Sequence, residues 1–228
     1  AMAQAGQAIQ SLGQDIGNFA ERLDITDAQD ALNKFRQKRQ ELTYDPEKGF
    51  LRLKGRAAID KIGDKSPMDV SSSALEMESE ALAKNLSPRA AALYRARAIN
   101  ETTAFKMDLV KHQIDQTEKY EGAVLKDGLA GTLNGAVVSG GDIKTLDIMA
   151  DRAAGLTTSY YQSRGLPHEE HVRAARSNVY RAGVETLIAQ NKGSNALALY
   201  EASKDKMDPS DAIALGNQLK TVATSEEA

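Results

Sequence analysis

The chain has 228 residues, enough for one or two domains, and 41% of them are hydrophobic, which suffices for a real core. Aromatic residues make up only 5%, and Trp and Cys are absent, so disulfides and thiol chemistry are excluded and helices packed through small side chains are favoured. The 29 basic and 32 acidic residues give a formal net charge of −3, so bulk charge does not favour nucleic acid or an anionic membrane as a partner.

Neither a membrane segment nor a signal peptide is predicted. No run reaches the ~18–20 apolar residues of a membrane span, and the N-terminus lacks the basic region and apolar core of a signal peptide. Ala1 precedes Met2, an order typical of tag removal, which leaves open that the sequence is part of a longer protein.

The first segment is rich in Ala, Gln and Gly. Ala8, Leu12 and Ile16 follow a helical spacing, but each of the three glycines between residues 6 and 17 costs ~1 kcal/mol relative to alanine in a helix. We therefore expect residues 1–25 to form a flexible arm whose order depends on a partner.

A firmer helix is predicted to end near Leu42. Its apolar face consists of Phe19, Leu23, Ala28, Leu32 and Phe35. The helix either runs through Ile25 or restarts at Thr26, where Gln29 is placed for a capping box.

A turn and two shorter helices follow. Asp45-Pro46 opens the turn, and Gly49 can take a positive φ. One short helix is expected from Arg56 to about Ile62, and Ser66-Pro67 starts the next. The apolar residues of that second helix are Val70, Leu75, Met77, Leu82 and Leu86.

The longest helix is predicted between Ser87 and about Val138. Ser87 can cap a free N–H, and Pro88 at the first helical position gives up a donor that would be unpaired there. A helix of ~50 residues would be ~75 Å long, so we expect an elongated molecule organised around it. The sequence leaves open whether this helix is continuous through residues 122–135.

An apolar stripe follows one face of this helix in steps of three and four residues. It consists of Leu93, Ala96, Ile99, Thr103, Leu109 or Val110, Ile114, Thr117, Tyr120 and Val124. The stripe is either a coiled-coil seam between chains or a face packed on neighbouring helices. We favour packing within the chain, as a helical hairpin or bundle, and keep an oligomeric seam as the alternative.

Residues 128–141 carry no charge and contain Gly131 and Gly135 four residues apart. Close approach of two helices through these small residues is the favoured interpretation. A hinge in the long helix is the second, and membrane insertion is the least favoured because fourteen residues are short for a span.

The C-terminal part predicts further helices. Asp142 begins one that ends at Gly165, Pro167 opens another, Gly193 ends that one, and Asp208-Pro209 starts the last. Residues 193–209 are similar to the second helix of a tetratricopeptide unit, although no second copy occurs at a 34-residue period. Residues 221–228 are expected to be a tail or linker.

The fold class predicted from these patterns is all-α, because no strand alternation of useful length occurs. The expected organisation is a flexible arm over residues 1–25, the N-terminal helices, turn and long helix over 26–140, and C-terminal helical hairpins with a tail over 141–228.

Two motifs are candidates for a catalytic or metal site. His168 and His171 are three residues apart rather than the four of the HExxH zinc motif, and no third ligand is evident. Glu78-Ser79 faintly resembles the acid of lytic transglycosylases, but the glycine-rich segment that should follow is missing. The sequence therefore predicts no catalytic residue, no metal site and no cofactor.

One stretch carries a family resemblance. Residues 27–58 read DAQDALNKFRQKRQELTYDPEKGFLRLKGRAA and resemble the N-terminal helical region of a group of tailed-bacteriophage and prophage virion proteins. The matching residues are Leu42, Asp45, Pro46, Glu47, Gly49, Phe50 and Leu51, then Lys54, Gly55 and Ala58. Arg164-Gly165-Leu166-Pro167 and the 193–209 hairpin are also similar to that group. Such proteins often carry a peptidoglycan-cleaving domain further along, which these residues do not include.

The resemblance implies a non-catalytic virion protein, either an internal or ejection-type component or the helical region of a larger virion-associated hydrolase. Its partners would be other virion proteins or copies of itself, and its location the virion, or the bacterial cytoplasm if it is prophage-encoded. The alternative hypothesis is a cellular helical-repeat adaptor that binds a peptide in the groove of the C-terminal helices.

Overall fold

The protein is all-α in the part of the chain that the structure describes. This computed structural model describes residues 2–61 and 63–226, and the side chains of 17–61 and 63–221. No β-strand occurs among these residues. The helices are α1 (Met2–Tyr44), α2 (Pro67–Lys84), α3 (Pro88–Val138), α4 (Ile143–Gln162), α5 (Glu169–Ala189), α6 (Gly193–Ser203) and α7 (Pro209–Glu226).

Helix boundaries follow the predicted starts closely, with several corrections. Pro67, Pro88 and Pro209 each begin a helix, but α5 begins two residues after Pro167. Short 3-10 turns at Phe50–Arg52 and Gly55–Ala58 replace the helix expected from residue 56, and Ile62 lies outside the described residues.

Two further boundary predictions were wrong. The left-handed residue that ends α5 is Asn191 (φ 56°), whereas Gly193 is the first residue of α6. The expected C-terminal tail is helical as far as Glu226.

The chain forms two compact units, residues 1–120 and 121–228. α1 is one unbroken helix and passes through Ile25, so no break separates an arm over residues 1–25 from the helix that follows. The boundary expected at 140/141 falls inside the second unit, at the Gly140-Gly141 turn between α3 and α4.

The core of the first unit joins α1, α2 and the first part of α3. Its buried members are Ala28, Ala31, Leu32, Phe35, Phe50, Leu75, Ala83, Ala90, Tyr94, Ala98, Phe105 and Leu109. Ser66 and Asp69 form the capping box that starts α2. Phe19 and Leu23, which belong to the apolar face predicted for α1, are exposed, and so are Val70 and Met77 among the apolar residues of α2.

The core of the second unit lies among the end of α3 and helices α4 to α7. Its buried members are Ala136, Leu146, Ala150, Ala153, Ala175, Val179, Tyr180, Val184, Leu187, Ala196, Leu199, Met207, Leu215 and Leu219. Ile213, an apolar residue of α7, is exposed.

α3 and α4 approach closely, but not through the pair of glycines predicted. Gly131 has open space where a Cβ would lie. A Cβ on Gly128 would lie 2.8 Å from Leu156 Cδ1, and one on Gly135 would lie 2.9 Å from Met149 Sδ. The close approach therefore uses glycines seven residues apart, and α3 runs through this region without the hinge considered above.

Candidate functional site

α3 carries two apolar faces, of which only one is packed within the first unit. The packed face contains Ala91, Tyr94, Ala98, Phe105 and Leu109, all buried. The Tyr94 ring packs edge to face on the Phe35 ring of α1, with the ring centroids 6.2 Å apart. This contact joins the two helices.

The apolar stripe predicted from the sequence lies largely on the other face, and it is exposed. Ile99 is 65% exposed, Val110 44% and Ile114 55%, and Met107, a residue outside the predicted stripe, is 68% exposed. The preference for packing this stripe inside the chain was therefore wrong. Spacing alone identified an apolar face, but alanines and aromatic residues on the opposite side make the closer contact with α1 and α2.

A shallow groove of about 450 Å³ runs along the exposed face. It is lined by Thr103, Lys106, Met107, Val110, Lys111 and Ile114. The Thr103 hydroxyl donates to the Ile99 carbonyl of its own helix (2.9 Å), so it does not require a polar partner. We call Ile99, Thr103, Met107, Val110 and Ile114 the α3 outer face.

Ion pairs with α2 border one side of the α3 outer face. Lys106 pairs with Glu76, and Arg95 pairs with Glu80 at 3.4 Å. These partners balance the two basic side chains on that side, so the border is nearly neutral. Lys111 lines the other side of the groove. An apolar strip between charged and polar borders is suited to another helix.

The segment between α1 and α2 docks on a different side of α3. The Phe50 ring packs edge to face on the rings of Phe105 and His112, with ring centroids 5.6 Å and 5.5 Å apart, respectively. His112 Nε2 lies 2.9 Å from the Leu53 carbonyl oxygen, and the Gly55 N–H donates to Oε1 of the buried Gln116 (2.9 Å).

This docking gives the residues that carried the family resemblance a structural role. Asp45 Oδ1 accepts from the N–H groups of Glu47 (2.8 Å) and Lys48 (2.7 Å), and these two bonds lower the pKa of its carboxyl, the Lys48 bond more strongly. Gly55 takes a left-handed conformation (φ 52°), and Ala58 is buried. The motif therefore fixes a turn and anchors it on α3.

The His168–His171 segment forms a turn and helix start. His168 precedes α5, and the His171 ring stacks on Tyr161 at 4.2 Å with an interplanar angle of 9°. Within the described side chains, no three His, Cys, Asp or Glu residues are grouped so that they could hold a metal ion.

Glu78 lies half-buried on α2 between two carboxylates that pair with α3. Its neighbour Ser79 accepts a hydrogen bond from the Tyr94 hydroxyl at 3.1 Å. Those contacts serve to pack α2 on α3.

A second groove, of about 570 Å³, lies between α6 and α7. Its apolar lining comes from Leu197, Tyr200, Ile213 and Leu219, and Glu201 and Asn217 add polar groups. The Tyr200 hydroxyl donates to the Ala212 carbonyl (3.0 Å), which holds the two helices together. Leu197 and Ile213 leave an exposed apolar surface here.

Sequence reasoning missed two polar networks in the second unit. Asp147 Oδ1 accepts from Lys206 Nζ and the Tyr180 hydroxyl, both at 2.7 Å. These bonds lower the pKa of Asp147, and the bond from Lys206 has the larger effect. The pKa of Tyr180 is raised, mainly by burial and secondly by its hydrogen bond to Asp147.

The second network anchors the start of α7 on α5. The buried Ser177 hydroxyl donates to Asp211 Oδ2 (2.6 Å) and accepts from the Asp208 N–H (2.9 Å). The only sequence signal for it was a second acidic residue in the first turn after Asp208-Pro209.

Comparisons with protein-family models, curated proteins and solved structures gave no match. None of the described helices is both long enough and apolar enough to cross a membrane.

Proposed function

We propose that this chain is a non-catalytic assembly protein that acts through helix-to-helix contacts with other proteins. The observation that carries this proposal is the α3 outer face, an apolar surface left exposed opposite the packed face of the same helix. Exposed apolar surface with a polar border is typical of a protein interaction site.

We further propose that the assembly is a bacteriophage virion, with this chain as an internal or ejection-type component or as the helical region of a larger virion protein. Support comes from the resemblance centred on Asp45–Ala58. The contacts of that segment are structural, as suits an assembly protein, and the segment is placed away from the α3 outer face.

Mass spectrometry of phage particles purified on a density gradient tests this proposal. We expect peptides of the chain in the particle fraction, at a constant ratio to the major capsid protein through successive purification steps. Absence of the chain from intact particles, with recovery in a host protein complex instead, would contradict it.

The groove between α6 and α7 supports a second candidate, a helical-repeat adaptor that binds a peptide. Under that hypothesis Leu197 and Ile213 contact the peptide, and Leu197→Asp abolishes partner capture while Ile114→Asp on α3 leaves it intact. The virion hypothesis predicts that Ile114→Asp abolishes partner capture and that Leu197→Asp leaves it intact.

A further inference from the structure

We propose that the α3 outer face binds the same face of a second copy of this chain, with the two α3 helices antiparallel. This deepens the proposed function, on which it rests, by naming the partner of the exposed face. The spacing of the apolar residues, their symmetry and the charges beside them support this pairing.

The spacing suits a long and nearly straight pair of helices. From Ile99 the outer face continues at Thr103, Met107, Val110 and Ile114, in steps of four, four, three and four residues. Ile99 and Val110 are one 11-residue repeat apart, and so are Thr103 and Ile114. An 11-residue repeat matches the natural period of a straight α-helix better than a heptad does, so the apolar face stays aligned without strong supercoiling.

The face is nearly symmetric about a point between Lys106 and Met107. A two-fold axis through that point places Ile99 opposite the partner's Ile114, and Thr103 opposite the partner's Val110. Met107 then lies next to its own copy. A two-fold interface requires such self-complementarity, because each contact occurs twice.

Charges beside the face favour the antiparallel arrangement over a parallel one. In a parallel, in-register pair, a side chain beside the interface meets the partner's side chain five residues further along. Such a pair would bring Lys106 against the partner's Lys111. The antiparallel pair instead brings Lys111 near the partner's Asn100 and Arg97 near the partner's Glu118. Lys106 lies near the axis, beside the partner's Lys106, and each retains its ion pair with Glu76 of its own chain. The antiparallel pair therefore has one lysine–lysine contact, whereas the parallel pair has two.

Disulfide cross-linking tests this geometry, because the chain has no cysteine of its own. We expect Met107→Cys to form a covalent dimer under a mild oxidant such as copper phenanthroline. Ile148→Cys is the matched control, since Ile148 lies on α4 and is 63% exposed. It should remain largely monomeric.

The direction of pairing is tested by Ile99→Cys and Ile114→Cys. An equimolar mixture of the two variants should cross-link to mixed dimers. Each variant alone should cross-link much less, since 15 residues, or about 22 Å of helix, separate its thiol from that of its copy. A disulfide requires Cα atoms within about 7 Å.

Two results would overturn the proposal. Cross-linking of Met107→Cys no greater than that of Ile148→Cys would mean that the face does not bind its own copy. Efficient cross-linking of Ile99→Cys alone would mean a parallel pair. If cross-linking fails while the chain is found in purified particles, the proposed function stands and the face binds a different protein.

Discussion

Gly49 is required by lack of space, not by its backbone conformation. Its φ is −63°, which any residue can adopt, although the sequence suggested a positive φ. A Cβ would lie 2.6 Å from the Asp45 backbone nitrogen and 2.8 Å from the Thr43 carbonyl oxygen. These atoms belong to the end of α1 and the turn, so they cannot yield as a flexible side chain would.

Gly49→Ala should therefore lower the free energy of unfolding by about 1–3 kcal/mol, as overpacking does. Urea denaturation followed by circular dichroism measures the change. Unaltered stability would mean that the turn opens at no cost.

Gly131→Ala is the matched glycine substitution with the opposite expected sign. A Cβ at Gly131 would meet no atom within 4 Å apart from its own helix backbone, and the residue lies inside α3, two turns before its end. Alanine should raise the free energy of unfolding by about 0.5–1 kcal/mol, because glycine loses more backbone entropy in a helix. A loss of stability in the same urea experiment would show that residue 131 packs on something.

Asp142 makes stability depend on pH at the start of α4. Its carboxylate accepts from the Thr145 hydroxyl (2.6 Å) and N–H (3.0 Å), and these bonds, the hydroxyl first, lower its pKa below the ordinary value of 3.8. Because the folded pKa is depressed, the contribution is complete above the unfolded pKa and declines as pH falls through the folded pKa.

We therefore expect Asp142→Ala to be less stable than the wild type by a constant amount above about pH 5, where the unfolded carboxyl is also ionised. The difference should shrink at lower pH. Urea unfolding of both proteins between neutral pH and pH 3 measures it. A difference that grows on acidification would contradict the assigned cap.

At the scale of the elements, sequence patterns predicted where helices start better than which face packs. Ser66-Pro67 and Ser87-Pro88 are local signals, because capping and a fixed proline φ act within a few residues. The packed face of α3 depends on partners far away in the sequence, such as Phe35 against Tyr94. The outer face has an equally good helical spacing, so periodicity could not distinguish the two.

Sequence patterns also failed to predict contacts between elements in the docked segment and in the groove between α6 and α7. The turn at Asp45-Pro46 was predictable from its own residues, whereas the acceptor for the Gly55 N–H is Gln116, on another element. Ile213 and Leu215 are both apolar residues of α7, and only the fold places one outside and the other in the core.

Gln116→Ala tests how the docked segment is held on α3. The substitution removes the acceptor of the Gly55 N–H. Because Gly55 is only half-buried, the loss should cost at most about 1–3 kcal/mol, the cost of a fully buried unpaired donor. Hydrogen–deuterium exchange should rise in residues 50–58, with α4 to α7 unchanged. Equal protection in the variant and the wild type would remove Gln116 from this role.

At the scale of the whole molecule, composition predicted the fold class correctly. Few aromatic residues, abundant alanine and no strand alternation indicated helices packed through small side chains, and the described helices agree. The division into two units could not be foreseen, because α3 continues through the boundary at residues 120/121 with no break in its sequence pattern. Function at this scale depends on which exposed surface binds a partner.

Sedimentation velocity over a concentration series tests most directly whether the α3 outer face is an interface. The wild type should show a weight-average mass that rises with concentration towards the dimer. Ile114→Asp should remain a monomer, since it places a charge in the apolar contact, whereas Ile213→Asp on α7 should behave as the wild type. A wild type that stays monomeric at every concentration, or an Ile114→Asp variant that associates as strongly as the wild type, would contradict this account.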